Sequence, residues 1–223
     1  MAQRIVFIVE DKGVKEELFD FKYYSGFSIT QRQKSIISLQ EEINKKYKSD
    51  VLEVSSKSLN SLGQKLSAFN LKVDIKGLKI SLENIFQSSK VFENGGPYLD
   101  LLNVPPVQAK KDPRLKSSGK LVKFRFDGVD YPLKPKTAFY DYIYCCAILK
   151  NKQLIKELIR YTIFTDIEFN HKKSINCQAR SLAIFVYLYI NNLINTYLSN
   201  FDNFKKLPFY NSGNPATEQL KLF

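Results

Sequence analysis

LSAFNLKVDIKGLKISLENIFQSSKVF, residues 66–92, holds the segment whose reading decides the fold. VDIKGLKIS (73–81) reads as a hairpin pivoting near Gly77, because glycine accepts the positive φ of a tight turn at little cost. Residues from about Leu82 to Phe92 then read as a helix, which Gly95-Gly96-Pro97 would break. A small hairpin feeding a helix sets the expectation for the rest. Towards the N-terminus, RIVFIV (4–9) reads as a strand, SITQRQKSIISLQEEINKKYK (28–48) as a helix capped by Ser28 or Thr30, and VLEV (51–54) as a short strand. Towards the C-terminus, PPVQAKKDPRLKSSGK (105–120) is basic and proline-bearing, and KFRFDGVDYPL (123–133) reads as a hairpin turning at Asp127-Gly128. Helices are expected over Thr137–Leu149 and Lys152–Tyr161, with IRYTIF (159–164) packed as core helix. FTDIEFN (164–170) reads as a loop before a longer helix from Ser174, whose apolar stripe reaches Tyr197. No repeat or compositional break divides the chain. The expected fold is mainly α: one helix-dominated domain over residues 1–210 with two or three small β-hairpins or strands, and a flexible tail over 211–223.

The 223 residues are 44% hydrophobic and 25% charged, and the formal net charge is +12. The excess is lysine, 28 Lys against 6 Arg. Such a charge suggests a polyanionic partner such as nucleic acid, although a lysine-rich proteome yields the same balance with no such partner. His171 is the only histidine, and the cysteines are Cys145, Cys146 and Cys177, so neither zinc-ligand spacing nor a histidine-based triad is suggested. Unpaired cysteines fit a reducing compartment. The N-terminal apolar run is too short for a signal peptide. Leu182–Ile190 reaches about half of the ~18 residues a bilayer span needs. A soluble, cytoplasmic protein with no membrane contact is expected.

On a helix from Leu82, Glu83, Phe86, Gln87 and Lys90 fall at i, i+3, i+4 and i+7 and share a face. A carboxylate, an aromatic ring, an amide and an ammonium together suit a cleft wall; the plain alternative is coincidence on an amphipathic helix. The run S-A-F-N, a hairpin, then E-x-x-F-Q-x-x-K-x-F resembles the signature of the NADAR (NAD and ADP-ribose associated) superfamily. Ser67, Phe69 and Asn70 stand in the first piece, and Glu83, Phe86, Gln87 and Lys90 in the second. Asn84 replaces the family's histidine. Downstream, Asp166 matches the aspartate of the family's W-G-D-G loop, while Asn176 and Ala179 match its N-R-L-G helix start. Ala109 and Arg114 loosely match a further segment. The family's tryptophan is missing, leaving Phe164 or Tyr161 to stack in its place. QRQKSIISLQ (31–40), LEVSSKS (52–58) and GGPYLDLL (95–102) look like the branch paired with DarT-type toxins that ADP-ribosylate guanosine in DNA.

The resemblance implies an ADP-ribosyl glycohydrolase that strips ADP-ribose from guanine in DNA, an antitoxin or repair activity. Its partners would be ADP-ribose, ADP-ribosylated DNA and a cognate ADP-ribosyltransferase toxin. Glu83, Lys90 and Asp166 would be catalytic. Ser67, Phe69, Asn70, Phe86, Gln87, Phe164 and Asn176 would hold the ligand. A carboxylate can stabilise a cation-like sugar or activate water, and a lysine of lowered pKa can instead form a Schiff base with the opened ribose. Asp166 would hold ribose hydroxyls or serve as a second acid/base group. Pyrophosphate needs amides and cations, for which Ser55, Ser56, Lys57, Gly95 and Gly96 are candidates. No metal or cofactor is required. Two other readings stay open: an N-glycosidase acting on a free small molecule such as a riboflavin-pathway intermediate, and a non-catalytic ADP-ribose or nucleic-acid binding module.

Overall fold

A computed structural model describes residues 1–211, so all but the first residue of the expected tail lies outside the described residues. β1 (Ala2–Glu10) and β2 (Gly13–Phe21) form an antiparallel hairpin, followed by α1 (Ile29–Lys46), β3 (Val51–Glu53) and α2 (Ser61–Leu66). Then come the hairpin β4 (Lys72–Ile75) and β5 (Leu78–Ser81), α3 (Leu82–Ser88), β6 (Lys90–Phe92) and a 3-10 helix, Leu99–Asn103. The short helices α4 (Pro106–Lys111) and α5 (Arg114–Ser117) lead to the hairpin β7 (Leu121–Phe126) and β8 (Val129–Tyr131). α6 (Ala138–Lys150), α7 (Lys152–Leu158), β9 (Ile163–Thr165) and α8 (Gln178–Ile190) precede three four-residue helices, α9 (Ile194–Tyr197), α10 (Phe201–Phe204) and α11 (Pro208–Asn211).

The largest sheet has the order β2-β1-β9-β3, with β9 antiparallel to β1 and parallel to β3. Both its faces are covered, which explains the unbroken apolar run of β1. Val6 and Ile8 pack with Ile36, Leu39 and Ile43 of α1 on one side. Ile5, Phe7 and Val9 join Phe139, Tyr144, Leu182 and Phe185 of α6 and α8 on the other. Each such buried side chain contributes about 1.5–3 kcal/mol. The Ser28 hydroxyl accepts from Gln31 N–H and caps α1, as expected from sequence. Both hairpin turns also follow the sequence: Lys76-Gly77 and Asp127-Gly128 all have positive φ, the backbone of a type I′ turn.

The mainly α expectation is overturned. The described residues are 43% helical and 21% strand, in sheets of four, two and three strands, a mixed α/β fold. β3, β6, β8 and β9 have three residues each, too few to show an alternating pattern, and β3 meets β9 across 112 positions of chain. β2 reads as solvated because Lys15, Glu16 and Glu17 precede its buried Phe19 and Phe21. IRYTIF is not core helix: from Ile163 it is β9, in the middle of the sheet. The helix expected over Leu82–Phe92 ends at Ser88. The Ser88 and Ser89 hydroxyls both donate back to the Ile85 carbonyl, at 3.1 and 2.6 Å, and the chain then extends as β6 against β7. The helix expected from Ser174 starts at Gln178 and breaks after Ile190, where Asn192 takes φ 56°. Among the described residues no helix is long and apolar enough to cross a membrane.

Candidate active site

β3 and β9 run parallel, and the chain just past their C-terminal ends borders a cavity of about 120 Å³. Ligands of open α/β sheets commonly bind at such strand ends. Ser55 and Ser56 come from the loop after β3, and Asp166, Glu168 and Phe169 from the turn after β9. Ala68 and Phe69 come from the loop after α2, Glu83 from the first turn of α3, Lys110 from α4 and Tyr140 from α6. Ser174, Asn176 and Gln178 come from the approach to α8.

These loops are fastened to one another. Gln178 Oε1 accepts from Ala68 N–H at 2.8 Å, and its Nε2 donates to the Val54 carbonyl at 2.6 Å. Glu83 N–H donates to the Ala68 carbonyl at 2.9 Å, fixing the start of α3 against the same loop. Gly63 of α2 abuts the end of β3 so closely that a Cβ there would lie 2.0 Å from the Glu53 carbonyl oxygen. Only glycine permits that approach. Asn84, at the family's histidine position, is buried and donates to the Leu101 and Val104 carbonyls at 2.6 and 2.8 Å, tying α3 to the segment around the 3-10 helix.

The structure brings Ser55, Ser56, Phe69, Glu83, Asp166 and Asn176 together in the pocket wall. Glu83 is 4% exposed; its Oε1 accepts from Gln87 Nε2 at 2.8 Å and lies 4.0 Å from Lys110 Nζ. Lys90 stands one step behind. On β6 and not on the helix face, its Nζ donates to Gln87 Oε1 at 2.7 Å and sits 4.8 Å from the centre of the Phe86 ring. Gln87 thus links the ammonium to the Glu83 carboxylate. Burial pulls the Lys90 pKa down to about 8, with Lys110 adding to the fall and the Glu83 charge opposing it. The Asn176 Oδ1 and Ser67 Oγ are buried without hydrogen-bond partners.

Other sequence candidates lie elsewhere. Phe164 is fully buried in the sheet opposite Phe7, and the Tyr161 hydroxyl accepts from Asn60. Asn70 donates to the Gln64 carbonyl. Gly95 and Gly96 form the turn after β6, packed against Tyr98 and Lys90. Lys57 follows Ser56 without lining the cavity. Arg114 pairs with Asp100 and Asp112, and Ala109 is buried. Sequence reasoning missed Glu53, Lys110, Tyr140, Glu168, Phe169, Ser174 and Gln178. Glu53 had a signal, an acid inside an apolar strand; Tyr140, in the apolar run of α6, had none.

Asp166, expected on a loop, lies just past β9 and borders the cavity. It is 6% exposed, its Oδ1 accepts from Glu168 N–H at 3.0 Å, and burial together with the neighbouring Glu53 raises its pKa. Glu53 is raised too, by its own burial. A carboxyl whose folded pKa exceeds its unfolded value, about 3.9 for aspartate, binds more protons in the folded state. Stability therefore falls as pH rises from that value through the raised one. Asp166→Asn keeps an oxygen for Glu168 N–H and removes this loss. It should stabilise the chain by about 1–2 kcal/mol at pH 8, a few degrees in Tm, and hardly at all at pH 4. Melting curves at the two pH values check this; equal gains at both would assign the effect to packing.

Carboxyls, amides and aromatic faces gathered at strand ends define a mixed α/β protein with a pocket suited to a polar, ring-bearing ligand. A sequence model described as DarT1-associated NADAR antitoxin matches residues 2–218. The chain belongs to that family, and its place there implies a cognate DarT toxin. No curated protein matches the sequence.

Proposed function

We propose that the protein is an ADP-ribosyl glycohydrolase that removes ADP-ribose from guanine in DNA. The observation that carries this reading is the pairing in one pocket of Glu83 and Asp166, brought from separate elements, with the uncommitted acceptor of Asn176 beside them. Cleaving an N-glycosidic bond develops positive charge on the sugar, and a buried carboxylate stabilises that charge strongly in a site of low dielectric. Glu83 is the group for this role and for receiving a proton from the attacking water. The Asn176 acceptor suits a ribose hydroxyl, and Phe69, with Lys110 Nζ 5.1 Å from its ring centre, offers a stacking face.

Charge supports a DNA-borne substrate. Glu83 and Glu168 outnumber Lys110 among the charged groups of the pocket wall, and further lysines stand beside it. Lys57 follows the wall residue Ser56, and Lys172 and Lys173 precede Ser174. Phosphates lie best beside these lysines while the sugar enters. Affinity for an ADP-ribosylated oligonucleotide should fall about tenfold between 50 and 200 mM salt, as expected for release of a few counterions. Free ADP-ribose should show a much weaker dependence. Fluorescence titrations with both ligands check this. Equal salt dependence, together with turnover indifferent to DNA length, would move the substrate to a free small molecule.

A further inference from the structure

Glu53 ends β3 and is 1% exposed, deeper than the carboxylates that line the pocket. Its Oε2 accepts from Thr165 Oγ1 at 2.6 Å and its Oε1 from the Ile167 N–H at 2.9 Å. Those donors are the two residues flanking Asp166, and the Ser55 hydroxyl supports the same carboxylate. A buried carboxylate without a cationic partner is costly where an amide would serve the fold as well. Glu53 has no salt bridge among the described residues. The nearby Arg4 directs its Nε to the Ile167 carbonyl. The arrangement makes sense when the charge itself has work to do.

We propose that Glu53 is a positioning residue: its carboxylate clamps the two residues that flank Asp166 and keeps the Asp166 carboxyl protonated, facing the pocket as the acid that protonates the leaving base. This rests on the glycohydrolase reading and assigns Asp166 its part in it. Because its donors are the residues either side of Asp166, Glu53 is the buried neighbour of the Asp166 carboxyl, and two neighbouring buried carboxyls do not both ionise near neutrality. Donors on both Glu53 oxygens favour the anion there, which leaves the proton on Asp166, the member that borders the cavity. As the C1′–N bond breaks, the bonding pair leaves with the base and the Asp166 proton joins it. Water adds its oxygen to C1′ and gives a proton to Glu83, so the step ends with Asp166 ionised and Glu83 protonated. Exchange with solvent resets both.

The groups around Asp166 do not replace Glu53. Glu168 in the same turn adds negative charge, and Tyr140 and Tyr144 of α6 and Cys177 before α8 are all held neutral by burial. Arg4 of β1 is the cation that acts on the pair. Glu83 is a further pocket carboxylate.

Carboxyl-carbon NMR on the whole chain tests the proposal. Asp166 should titrate above the ordinary aspartate range in the parent, and about one pH unit lower or more in Glu53→Gln. The alkaline limb of kcat should move down with it. A structural clamp alone would alter melting and move neither. An Asp166 titration unchanged by Glu53→Gln overturns the proposal whether or not the chain turns over substrate. A parent that shows the shift but releases no ADP-ribose overturns the glycohydrolase reading instead. If Glu53→Gln folds poorly, Asp166→Asn carries the test from the other side: Glu53, which ionises first against a neutral neighbour, must keep its titration, and a Glu53 signal that moves to much lower pH rejects the assignment of the proton to Asp166.

Discussion

Glu83→Gln should fold as the parent does and release ADP-ribose from modified DNA about 10²–10⁴-fold more slowly, the usual cost of losing a positioned acid/base group. The expectation of normal folding comes from its contacts. Glu83 begins α3, where its N–H donates to Ala68, and its side-chain oxygen accepts from Gln87 Nε2; a glutamine oxygen can accept that bond as well. What the amide lacks is charge. It neither balances a cation-like sugar nor takes a proton from water, so the loss should fall on kcat more than on affinity. ADP-ribose affinity by calorimetry, Tm and single-turnover release together separate the causes. Turnover near the parent level would remove Glu83 from the chemistry. Parent-level affinity combined with an undiminished antitoxin effect would point to a binding module.

Legibility in this sequence follows the range of the forces involved. The cap of α1 and the turns at Lys76-Gly77 and Asp127-Gly128 depend on neighbouring residues, so they can be read from the sequence directly. β9 cannot, because Ile163, Phe164 and Thr165 become a strand only by pairing with β1 and β3. Without β9 the largest sheet has no centre, and the remaining pattern is mainly α. The site divides in the same way. Glu83, Asp166, Phe69 and Asn176 stand in motif pieces that the fold gathers into one wall. Lys110, Tyr140 and Gln178 reach it only through packing. Lys90 shows how helical spacing alone can set a residue in the wrong geometry. Helical spacing put it on the face of Glu83, whereas the serine pair at 88–89 turns the chain into β6 and places the amine behind Gln87.

Lys90→Arg should remove a covalent adduct that the parent forms. A buried amine with its pKa near 8 is about one-tenth neutral at pH 7 and mostly neutral at pH 9. The neutral amine can condense with the aldehyde of the opened ribose, losing water to give an imine that borohydride reduces to a stable amine. In the presence of ADP-ribose, borohydride trapping should therefore add an ADP-ribose-sized mass to the peptide carrying Lys90, with a yield that rises steeply between pH 6 and 9. Arginine keeps the positive charge but is not nucleophilic at these pH values, so the adduct should disappear. The geometry sets one condition. Lys90 Nζ is bonded to Gln87 Oε1 and must leave that partner to reach C1′, so Gln87→Leu should change the adduct yield while Phe86 still shields the amine. No adduct at any pH, combined with an inactive Lys90→Arg protein, would make Lys90 a charge that orients Gln87 and, through it, Glu83. Full activity of Lys90→Arg would exclude the covalent role, because guanidinium keeps the charge but does not condense with the sugar.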